Sequence, residues 1–383
     1  MRLIAFATLA LLAVACGPSS ETPNPSGSSS DGGGGTGGAG GGAGGSGAGG
    51  MGGGGGSAPV SDVHFIGRFT DEAEGRRFAW PGSAIITRFS GPRIDVKLED
   101  GGNNFFAVVI DNGAPTVLDL NAGQNTYTLA DNLPAGEHTV LIEKRTETHV
   151  GVTRFMGFEA PGGAIVPSPA PFSRGIEMVG DSITCGYGNE GADQNCKFSP
   201  DTENEYMAYG AIASRALNAA HTGISWSGIG MYRDYGGTTD NQMPVRFDLT
   251  LGGDLNSKWD FSWTPDVVVI NLGTNDFAKG DPGQPYVDAY IGFTEKVRGH
   301  YPDAYILCAV GSMLYGDSRN KAIEYTQTVI ETRKAAGDMK IGFVDLGVQD
   351  AADGLGCDWH PNITTNEKMA AKLVTGIKEA VGW

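Results

Sequence analysis

The sequence carries little positive charge. It contains 27 lysine and arginine residues against 44 aspartate and glutamate residues, which gives a formal net charge of −17 at pH 7. No basic tract appears along its 383 residues. Nucleic acids are bound by clustered lysine and arginine side chains, so this charge balance argues against a nucleic-acid partner.

Residues 17–57 have almost no apolar side chains from which a folded core could form. They are at first rich in serine and proline and then almost pure glycine, with some alanine and a single methionine, Met51. Such a composition predicts a flexible linker. Many of the chain's 61 glycines lie in this segment, so the folded part is expected to start near residue 58.

An apolar run long enough to span a bilayer is missing from residues 1–16, MRLIAFATLALLAVAC. The shorter run that is present predicts an export signal. Its ending resembles a bacterial lipoprotein signal, whose cleavage would leave Cys16 as the lipid-modified first residue. Ordinary secretion after cleavage near Ala15 is the alternative. We therefore expect an outer-membrane or cell-surface lipoprotein, attached to the membrane only through its lipid, or a secreted protein.

Cysteine is scarce, with five residues in the sequence. Beyond Cys16 an even number remains, which suits disulfide bonds in an oxidising compartment. Their order suggests one bond between Cys185 and Cys196 and another between Cys308 and Cys357, while free thiols and other pairings stay open. No cluster of histidine, cysteine and aspartate has the spacing of metal ligands, so neither a catalytic metal nor another cofactor is expected.

The remaining chain divides into two predicted domains. Residues 58–160 carry short β-branched or aromatic segments separated by turn residues, which predicts an all-β sandwich of the jelly-roll type. The predicted strands are residues 76–80, 84–89, 93–98, 105–110, 116–120, 126–129, 138–144 and 152–158. Residues 161–172 are rich in proline and predict a semi-rigid connector.

From residue 173 to residue 383 predicted strands alternate with predicted helices. The strands are residues 175–179, 223–226, 266–272, 304–310 and 341–345, and the helices are residues 205–219, 286–300, 321–336 and 366–381. Two of the strands are almost continuously apolar, as expected of a parallel sheet that is covered on both faces. The predicted fold class is therefore α/β, a three-layer α/β/α domain whose ligands bind beyond the carboxyl ends of the strands.

A candidate nucleophile directly follows the first of these strands. The segment 177–188, EMVGDSITCGYG, places Ser182 in a loop rich in glycine and small residues. The alternative is a strand end at which aspartate and serine serve as turn or cap residues. A lone serine hydroxyl is a poor nucleophile, so a catalytic role requires a base and oxyanion donors elsewhere in the chain.

Three further motifs meet that requirement in order. WSGIG at 226–230 contains Gly228, GTND at 273–276 contains Asn275, and CDWHP at 357–361 contains His360. Together with Ser182 they form the ordered set for which the SGNH (GDSL-like) hydrolase superfamily is named, and the domain at 173–383 resembles that superfamily. Taken singly, Gly228 would be a loop glycine and Asn275 a turn residue.

The resemblance implies a role for each of these residues. Ser182 would attack an acyl carbonyl, and His360 would take its proton and later return it to the departing alcohol. The oxyanion donors would be the backbone N–H groups of Ser182 and Gly228 and the side-chain amide of Asn275. Surface or capping positions are expected instead for His138, His149, His221 and His300.

The orientation of His360 departs from the superfamily pattern. That pattern has an acid three residues before the histidine, but Cys357 occupies this position and the nearest carboxylate, Asp358, lies two residues before. Either Asp358 completes a Ser-His-Asp triad, or a backbone carbonyl holds the imidazole in a Ser-His dyad. We favour the triad, and we expect Asp181 to be a structural partner of neighbouring loops.

The extended motifs more specifically resemble carbohydrate esterase family 2, which joins an N-terminal jelly roll to an SGNH domain. They are GDSITCGYG at 180–188, SGIGMYRDYG at 227–236, NLGTND at 271–276 and GCDWHPN at 356–362. The resemblance implies a serine esterase that removes O-acetyl groups from plant polysaccharide such as xylan or glucomannan. Two alternatives are a lipase or thioesterase acting on short-chain acyl esters, and a non-catalytic carbohydrate-binding surface lipoprotein.

Aromatic residues near the motifs fit a sugar site, because an exposed ring can cover the apolar face of a pyranose. The candidate substrate-binding residues are Trp359, which adjoins His360, and then Tyr187, Tyr232 and Trp259. Core packing is the alternative for each of them. Arg233 and Asp234 either fix their loop or contact the substrate.

Overall fold

The computed structural model describes residues 60–383 of the chain. The predicted export signal at residues 1–16, with the predicted lipidation site Cys16, and the predicted linker at residues 17–57 lie outside the described residues. Within residues 60–383, no helix combines the length and the apolar character needed to cross a membrane.

Two antiparallel sheets form the amino-terminal domain. Its strands are β1 Val60–Ser61, β2 Val63–Ile66, β3 Thr70–Glu72, β4 Gly75–Phe78, β5 Ala84–Ser90, β6 Ile94–Asp100, β7 Phe105–Ile110, β8 Thr116–Asp119, β9 Thr126–Ala130, β10 Glu137–Lys144, β11 Thr153–Glu159, β12 Ala164–Val166 and β13 Ser168–Pro169. One sheet has the order β12-β5-β10-β7-β8 with β2 also paired to β5, and the other has the order β3-β4-β11-β6-β9. Phe78 of one sheet contacts Phe106 of the other in a shared apolar core. The predicted jelly-roll sandwich is confirmed.

The proline-rich segment at 161–172 contributes more structure than a connector. β12 pairs with β5 at one edge of a sheet, and β13 pairs with β1. Pro167 lies between these two short strands, where a residue without an N–H removes no bond from a central ladder. The prolines therefore confine the segment to sheet edges and do not prevent strand pairing.

A parallel sheet forms the centre of the second domain. Its strands are β14 Gly175–Gly180, β15 Ala220–Ser225, β16 Val267–Asn271, β17 Tyr305–Val310 and β18 Ile341–Asp345. The helices are α1 Ser182–Cys185, α2 Tyr209–Ala216, α3 Met243–Arg246, α4 Gln284–His300, α5 Gly316–Ala335 and α6 Ile363–Val381. Short 3₁₀ helices cover Thr148–Val150, Pro200–Thr202, Glu205–Met207, Asp276–Lys279, Ala351–Asp353 and Cys357–Trp359.

The sheet is covered on both faces because its strands are apolar at successive positions. In β16, Val268 and Ile270 belong to the core under α4 and α5, whereas Val267 and Val269 belong to the core under α2 and α6. Side chains alternate between the two faces of a strand, so a continuous apolar run fills both layers. The predicted three-layer α/β/α class is confirmed.

The first predicted helix, at 205–219, is broken in the structure. A 3₁₀ turn ends at Met207, Ala208 is extended with φ −76° and ψ 156°, and α2 begins at Tyr209. The backbone N–H of Tyr209 donates to Oδ1 of Asn366 at 3.0 Å. The first N–H groups of a helix have no acceptor within the helix, and here α6 supplies one. Because Asn366 is distant in sequence, the local pattern of residues 205–219 does not reveal this helix start.

The strand order places the candidate motifs together. The order β15-β14-β16-β17-β18 puts β14, the first strand of the sheet, between two later strands. Loops leaving the sheet on either side of such a switch point diverge and open a crevice at the carboxyl ends. Gly180 is in register with Ser225 of β15 and with Asn271 of β16. The three strands therefore end side by side, and the loops that follow them begin next to one another at the carboxyl edge of the sheet.

Candidate active site

Ser182 lies immediately beyond β14, as the first residue of α1. Its side chain is almost buried, with 7% of the residue exposed. Asp181 precedes it as the helix cap, and its carboxylate accepts a hydrogen bond from the Ile183 N–H at 3.0 Å. Burial raises the pKa of Asp181 to about 7. Asp181 therefore contacts its own turn, as expected of a structural residue, and it fixes the direction in which Ser182 leaves the strand.

His360 faces Ser182 from the loop between β18 and α6. Its Nε2 lies 2.8 Å from the Ser182 Oγ. Its Nδ1 lies 3.1 Å from the carbonyl oxygen of Cys357 and 3.1 Å from that of Asp358. A carbonyl oxygen only accepts hydrogen bonds, so Nδ1 carries the ring proton of the neutral imidazole. The lone pair of Nε2 then faces the Ser182 hydroxyl, as a general base requires.

The carboxylate of Asp358 contacts other groups, so the predicted Ser-His-Asp triad is wrong for this structure. Its Oδ2 accepts hydrogen bonds from the Tyr187 hydroxyl at 3.0 Å and the Phe198 N–H at 3.1 Å. Its Oδ1 accepts from the Lys197 ammonium at 2.7 Å. Although partial burial opposes it, these donors keep the pKa of Asp358 below its usual value. The alternative hypothesis, an imidazole held by backbone carbonyls, describes the observed geometry.

The backbone conformation explains why the carbonyl of Asp358, and not its carboxylate, faces His360. Asp358 has φ +49° and Trp359 has φ +67°, so two successive residues with side chains occupy the left-handed region. Each such residue costs on the order of 1–3 kcal/mol and persists where its surroundings hold it. The turn directs the carbonyl of Asp358 to the imidazole and its carboxylate away. The Gln349 side-chain amide donates to the Trp359 carbonyl at 2.9 Å and helps to hold the turn.

A disulfide also holds this turn, but with a pairing different from the predicted one. Cys196 is bonded to Cys357, whereas Cys185 and Cys308 are buried thiols. Cys185 faces Ser225, with its sulfur 3.3 Å from that hydroxyl oxygen, and Cys308 lies within β17 in the apolar core. The predicted bonds from Cys185 to Cys196 and from Cys308 to Cys357 are therefore corrected.

The protonation state of His360 suits the role of a base. The imidazole keeps a partly exposed edge, but neighbouring groups enclose most of the ring. Tyr187 stacks on it with ring centroids 4.1 Å apart. Burial lowers the pKa of His360 to about 4, because the charged imidazolium loses its hydration. The neutral base is consequently present at neutral and mildly acidic pH.

The predicted oxyanion donors lie on adjoining loops. Gly228 has φ +80°, a conformation that favours glycine, and no heavy atom beyond its two chain neighbours lies within 4 Å of the position a Cβ would occupy. Asn275 is 6% exposed, and its Nδ2 donates to the carbonyl of Ile229 at 2.9 Å. This bond places the amide of Asn275 beside the Gly228 turn. Ser182 begins a helix, where its own N–H has no intrahelical acceptor.

Two buried carboxylates that the motifs did not single out hold these loops. Asp276 accepts hydrogen bonds from the backbone N–H groups of Met231, Tyr232 and Arg233 at 2.9, 2.7 and 2.8 Å. Glu147, from the β domain, accepts from the Ser227 N–H at 2.7 Å. The position of Asp276 next to Asn275 was a signal in the sequence. No local signal marked Glu147, which lies 80 residues from Ser227 along the chain.

The predicted substrate-binding aromatics separate into different environments. Trp359 is 54% exposed beside His360, so its ring is accessible to a ligand. Tyr187 packs on His360 and on Phe198, with centroids 4.6 Å apart in the latter pair, and is a packing partner of the imidazole. Tyr232 packs partly buried against the core beside the Gly228 loop. Of these three, Trp359 alone presents a largely exposed face.

Trp259 is not brought to the site. Its ring lies 5.7 Å from the guanidinium of Arg68, which is paired with Glu177 in the amino-terminal half of β14. The site lies beyond the carboxyl ends of the strands, so the prediction for Trp259 is corrected. Arg233 and Asp234 fix their loop: Arg233 donates to the carbonyl of Asp276 at 2.7 Å, and Asp234 accepts from the Thr238 N–H at 2.8 Å.

One cluster of possible metal ligands occurs among the described residues, beneath the oxyanion turn. Ligand atoms of Glu147, Cys185 and Glu203 lie within 4.8 Å of one another, and all three residues are buried. Burial and the charge of Glu147 raise the pKa of Glu203 well above its usual value, and burial raises that of Cys185. Metal ligands must be deprotonated, and the buried ammonium of Lys144 already lies beside Glu147. The raised pKa values of Glu203 and Cys185 disfavour the deprotonated forms that a metal requires, and the neighbouring cation of Lys144 would repel one.

An apposed serine and imidazole at the carboxyl edge of a parallel sheet define a serine hydrolase of the SGNH class. Residues 178–367 match the family model described as GDSL-like Lipase/Acylhydrolase family, and residues 65–169 match Carbohydrate esterase 2 N-terminal. A family two carbohydrate esterase from Clostridium thermocellum, solved in complex with cellohexaose, is 40% identical with a TM-score of 0.80. The alignment covers 84% of this chain and 99% of that one. The chain therefore belongs to carbohydrate esterase family two, and the resemblance of its motifs is confirmed.

Two curated relatives share this relationship. Cellulase/esterase CelE from Acetivibrio thermocellus is 40% identical over 324 residues, which cover 84% of this chain and 40% of CelE. The present chain thus matches less than half of the length of that relative. An acetylxylan esterase / glucomannan deacetylase from Cellvibrio japonicus is 29% identical over 314 residues, covering 80% of this chain and 85% of the relative.

Proposed function

We propose that the chain removes O-acetyl groups from plant polysaccharide of the xylan or glucomannan type, with Ser182 as the nucleophile. The observation that carries the proposal is the 2.8 Å contact between the Ser182 Oγ and the His360 Nε2, next to the exposed ring of Trp359. The relatives named for acetylxylan and glucomannan support the substrate class.

Acyl transfer begins at Ser182. Its Oγ attacks the acetyl carbonyl carbon while its proton passes to Nε2 of His360, and the carbonyl π electrons move to oxygen. The resulting imidazolium keeps its Nδ1–H on the carbonyls of Cys357 and Asp358. Two backbone carbonyls thus accept hydrogen bonds from the Nδ1–H and orient the ring, which is a task that a carboxylate performs in a triad.

The tetrahedral oxyanion requires fixed donors. We assign this role to the backbone N–H groups of Ser182 and Gly228 and to the side chain of Asn275. One amide hydrogen of Asn275 is held by Ile229, so the other has a defined direction. When the intermediate collapses, the C–O bond to the sugar breaks, and the sugar oxygen takes the proton from His360. Water then attacks the acetyl-Ser182 ester with His360 again as base, which releases acetate and restores the hydroxyl.

We further propose that Trp359 supplies the surface on which a sugar ring rests. It adjoins the base in sequence, and its left-handed backbone turns the side chain outward. We also propose that the enzyme is exported and attached through a lipid on Cys16. The apolar segment 1–16 and the glycine-rich segment 17–57 support this. The intact mass of the mature protein from cell membranes tests it, and an unmodified amino terminus would contradict it.

The proposal is tested by acetate release from acetylated xylan and acetylated glucomannan, with Trp359→Ala as the variant. Loss of a stacking surface worth about 1.4 kcal/mol is expected to raise KM on the polymer about tenfold. Hydrolysis of 4-nitrophenyl acetate, which has no sugar ring, is expected to stay within about twofold and serves as the internal control.

Three outcomes would contradict the proposal in different ways. A wild-type enzyme that hydrolyses 4-nitrophenyl acetate but releases no acetate from either glycan is not a polysaccharide deacetylase. A preference for longer acyl esters or thioesters would favour the lipase or thioesterase alternative. Binding of glycan without hydrolysis of any ester would favour the non-catalytic lipoprotein.

A further inference from the structure

A carboxylate of the β domain lies directly under the oxyanion turn of the other domain. Glu147 follows β10 and precedes the short helix Thr148–Val150. Its residue exposure is 0%. Oε2 accepts a hydrogen bond from the Ser227 N–H at 2.7 Å, and Oε1 accepts from the Ser227 hydroxyl. Both donors of the residue before Gly228 are therefore fixed by one side chain.

This arrangement determines the direction of the Gly228 N–H. The peptide between Ser227 and Gly228 is planar, so holding Ser227 leaves few torsions by which that N–H can turn. The carbonyl of Gly228 is held in turn by the Tyr235 N–H at 2.9 Å. Because Gly228 itself has no side chain and no heavy atom beyond its two chain neighbours within 4 Å of a Cβ position, packing does not restrain it. The hydrogen bonds on either side of the turn restrain it instead.

The charge of Glu147 is compensated locally. His149 Nδ1 lies 3.1 Å from Oε2, and the buried Lys144 ammonium donates to the backbone carbonyl of Glu147 at 3.2 Å. Burial would raise the pKa of Glu147, but the bonds from His149 and Ser227 outweigh it and lower the pKa. Charge-assisted hydrogen bonds are about twice as strong as neutral ones. The anion can therefore anchor the turn without an unpaired charge near the developing oxyanion.

We infer that Glu147 is a positioning residue for the oxyanion hole, so that the jelly-roll domain supplies part of the catalytic machinery of the esterase. The backbone N–H of Gly228 stabilises the oxyanion, and Glu147 acts through Ser227 to hold that N–H in place. The inference rests on the proposed serine-esterase function, but it requires no particular glycan.

Glu147→Ala tests it with 4-nitrophenyl acetate as substrate. Loss of one oxyanion donor costs a factor of about 10²–10³ in kcat, so a displaced donor is expected to lower kcat about 10- to 100-fold. KM is expected to stay within about threefold, because the donor acts mainly in the transition state. Glu147→Gln keeps an oxygen for the Ser227 N–H and an amide for its hydroxyl, and is expected to restore kcat to within about fivefold of wild type.

Glu143→Ala is the matched control. Glu143, in β10, is another buried acidic side chain of the β domain, but it faces Glu205 and not the oxyanion turn. If Glu147, like Glu143, only stabilises the fold, both alanine variants should have a lower melting temperature and an unchanged kcat. If Glu147→Ala does not fold, Ser227→Ala leaves the β domain intact, removes one of the two bonds and is expected to lower kcat about three- to tenfold.

The outcomes are distinct from those of the proposed function. A folded Glu147→Ala enzyme with kcat within threefold of wild type would overturn the inference, and so would Glu147→Gln falling as far as alanine. A wild type that cleaves 4-nitrophenyl acetate but no acetylated glycan contradicts the substrate proposal and leaves the kcat comparison valid. A wild type that hydrolyses no ester, and whose Ser182 is not labelled by a 4-nitrophenyl phosphonate, overturns both.

Discussion

Replacing His360 by alanine is expected to lower kcat for acetate release by at least about 10⁴-fold. His360 is the proposed base, and its Nε2 lies 2.8 Å from the Ser182 Oγ. Asp181, the nearest carboxylate in sequence, is committed to the Ile183 N–H at the helix cap. No other side chain among residues 60–383 forms a hydrogen bond with the Ser182 Oγ that would let it replace the imidazole.

Ser182→Ala is expected to be as inactive as His360→Ala, and the double variant no worse than either. Ser182 and His360 act in the same step, so removing either one abolishes the contribution of both. The losses in kcat of the two single variants should therefore not multiply in the double variant. Acetate release from acetylated xylan measures all three variants, and melting temperature shows whether each is folded. A His360→Ala enzyme that retained more than about one hundredth of wild-type kcat would show that another group takes the serine proton.

Replacing Asn275 by alanine is expected to lower kcat about 10²- to 10³-fold with little change in KM. The side chain is buried and its amide is oriented by the bond to the Ile229 carbonyl at 2.9 Å, so the second amide hydrogen points in a fixed direction. A donor that is already oriented stabilises the oxyanion without reorganisation during the reaction. The effect therefore belongs to the transition state and appears in kcat.

Asn275→Asp is the sharper companion variant. It has almost the same shape but replaces the donating amide by an acceptor, so it should be at least as impaired as alanine. Both variants also lose the bond to Ile229, and melting temperature and circular dichroism measure that structural loss. If kcat of both stayed within about fivefold of wild type, Asn275 would be a turn residue and the oxyanion would be held by backbone donors alone.

The fold could be predicted well because its signals are local. In β16 and β17 the continuous apolar runs reflect burial on both faces of a parallel sheet. This pattern does not depend on which side chains of the covering helices contact the strands. The convergence of Ser182, Gly228 and Asn275 followed from their positions after strands, since carboxyl ends of parallel strands share an edge. Short, separated strands likewise indicated the jelly roll.

The orientation of His360 could not be predicted by the same means. Sequence spacing locates a carboxylate two residues away, but the direction of a side chain depends on φ and ψ. Asp358 and Trp359 adopt left-handed conformations that non-glycine residues rarely occupy, and long-range contacts enforce them. The disulfide from Cys196 to Cys357 is one such contact, with a sequence separation of 161 residues. The order of the cysteines along the chain therefore predicted the wrong partners.

Glu147 illustrates a different limit. A single glutamate after a strand resembles any solvated charge, and its importance arises where the two domains meet. Such a residue carries no motif, because its partner Ser227 belongs to another domain. Buried contacts across the same interface, including the pair of Arg68 with Glu177, show that the β domain is fixed to the catalytic domain. Deleting it would expose these charges, so point variants are the better test.

Backbone carbonyls, not a carboxylate, hold the imidazole of His360. The most direct measurement is kcat for acetate release by Asp358→Asn. An asparagine oxygen can still accept from the Tyr187 hydroxyl and the Phe198 N–H, so the turn is retained and kcat is expected to stay within about fivefold of wild type. In enzymes that depend on a triad carboxylate, the same change lowers kcat about 10⁴-fold. A loss of that size in a folded Asp358→Asn enzyme would contradict the dyad.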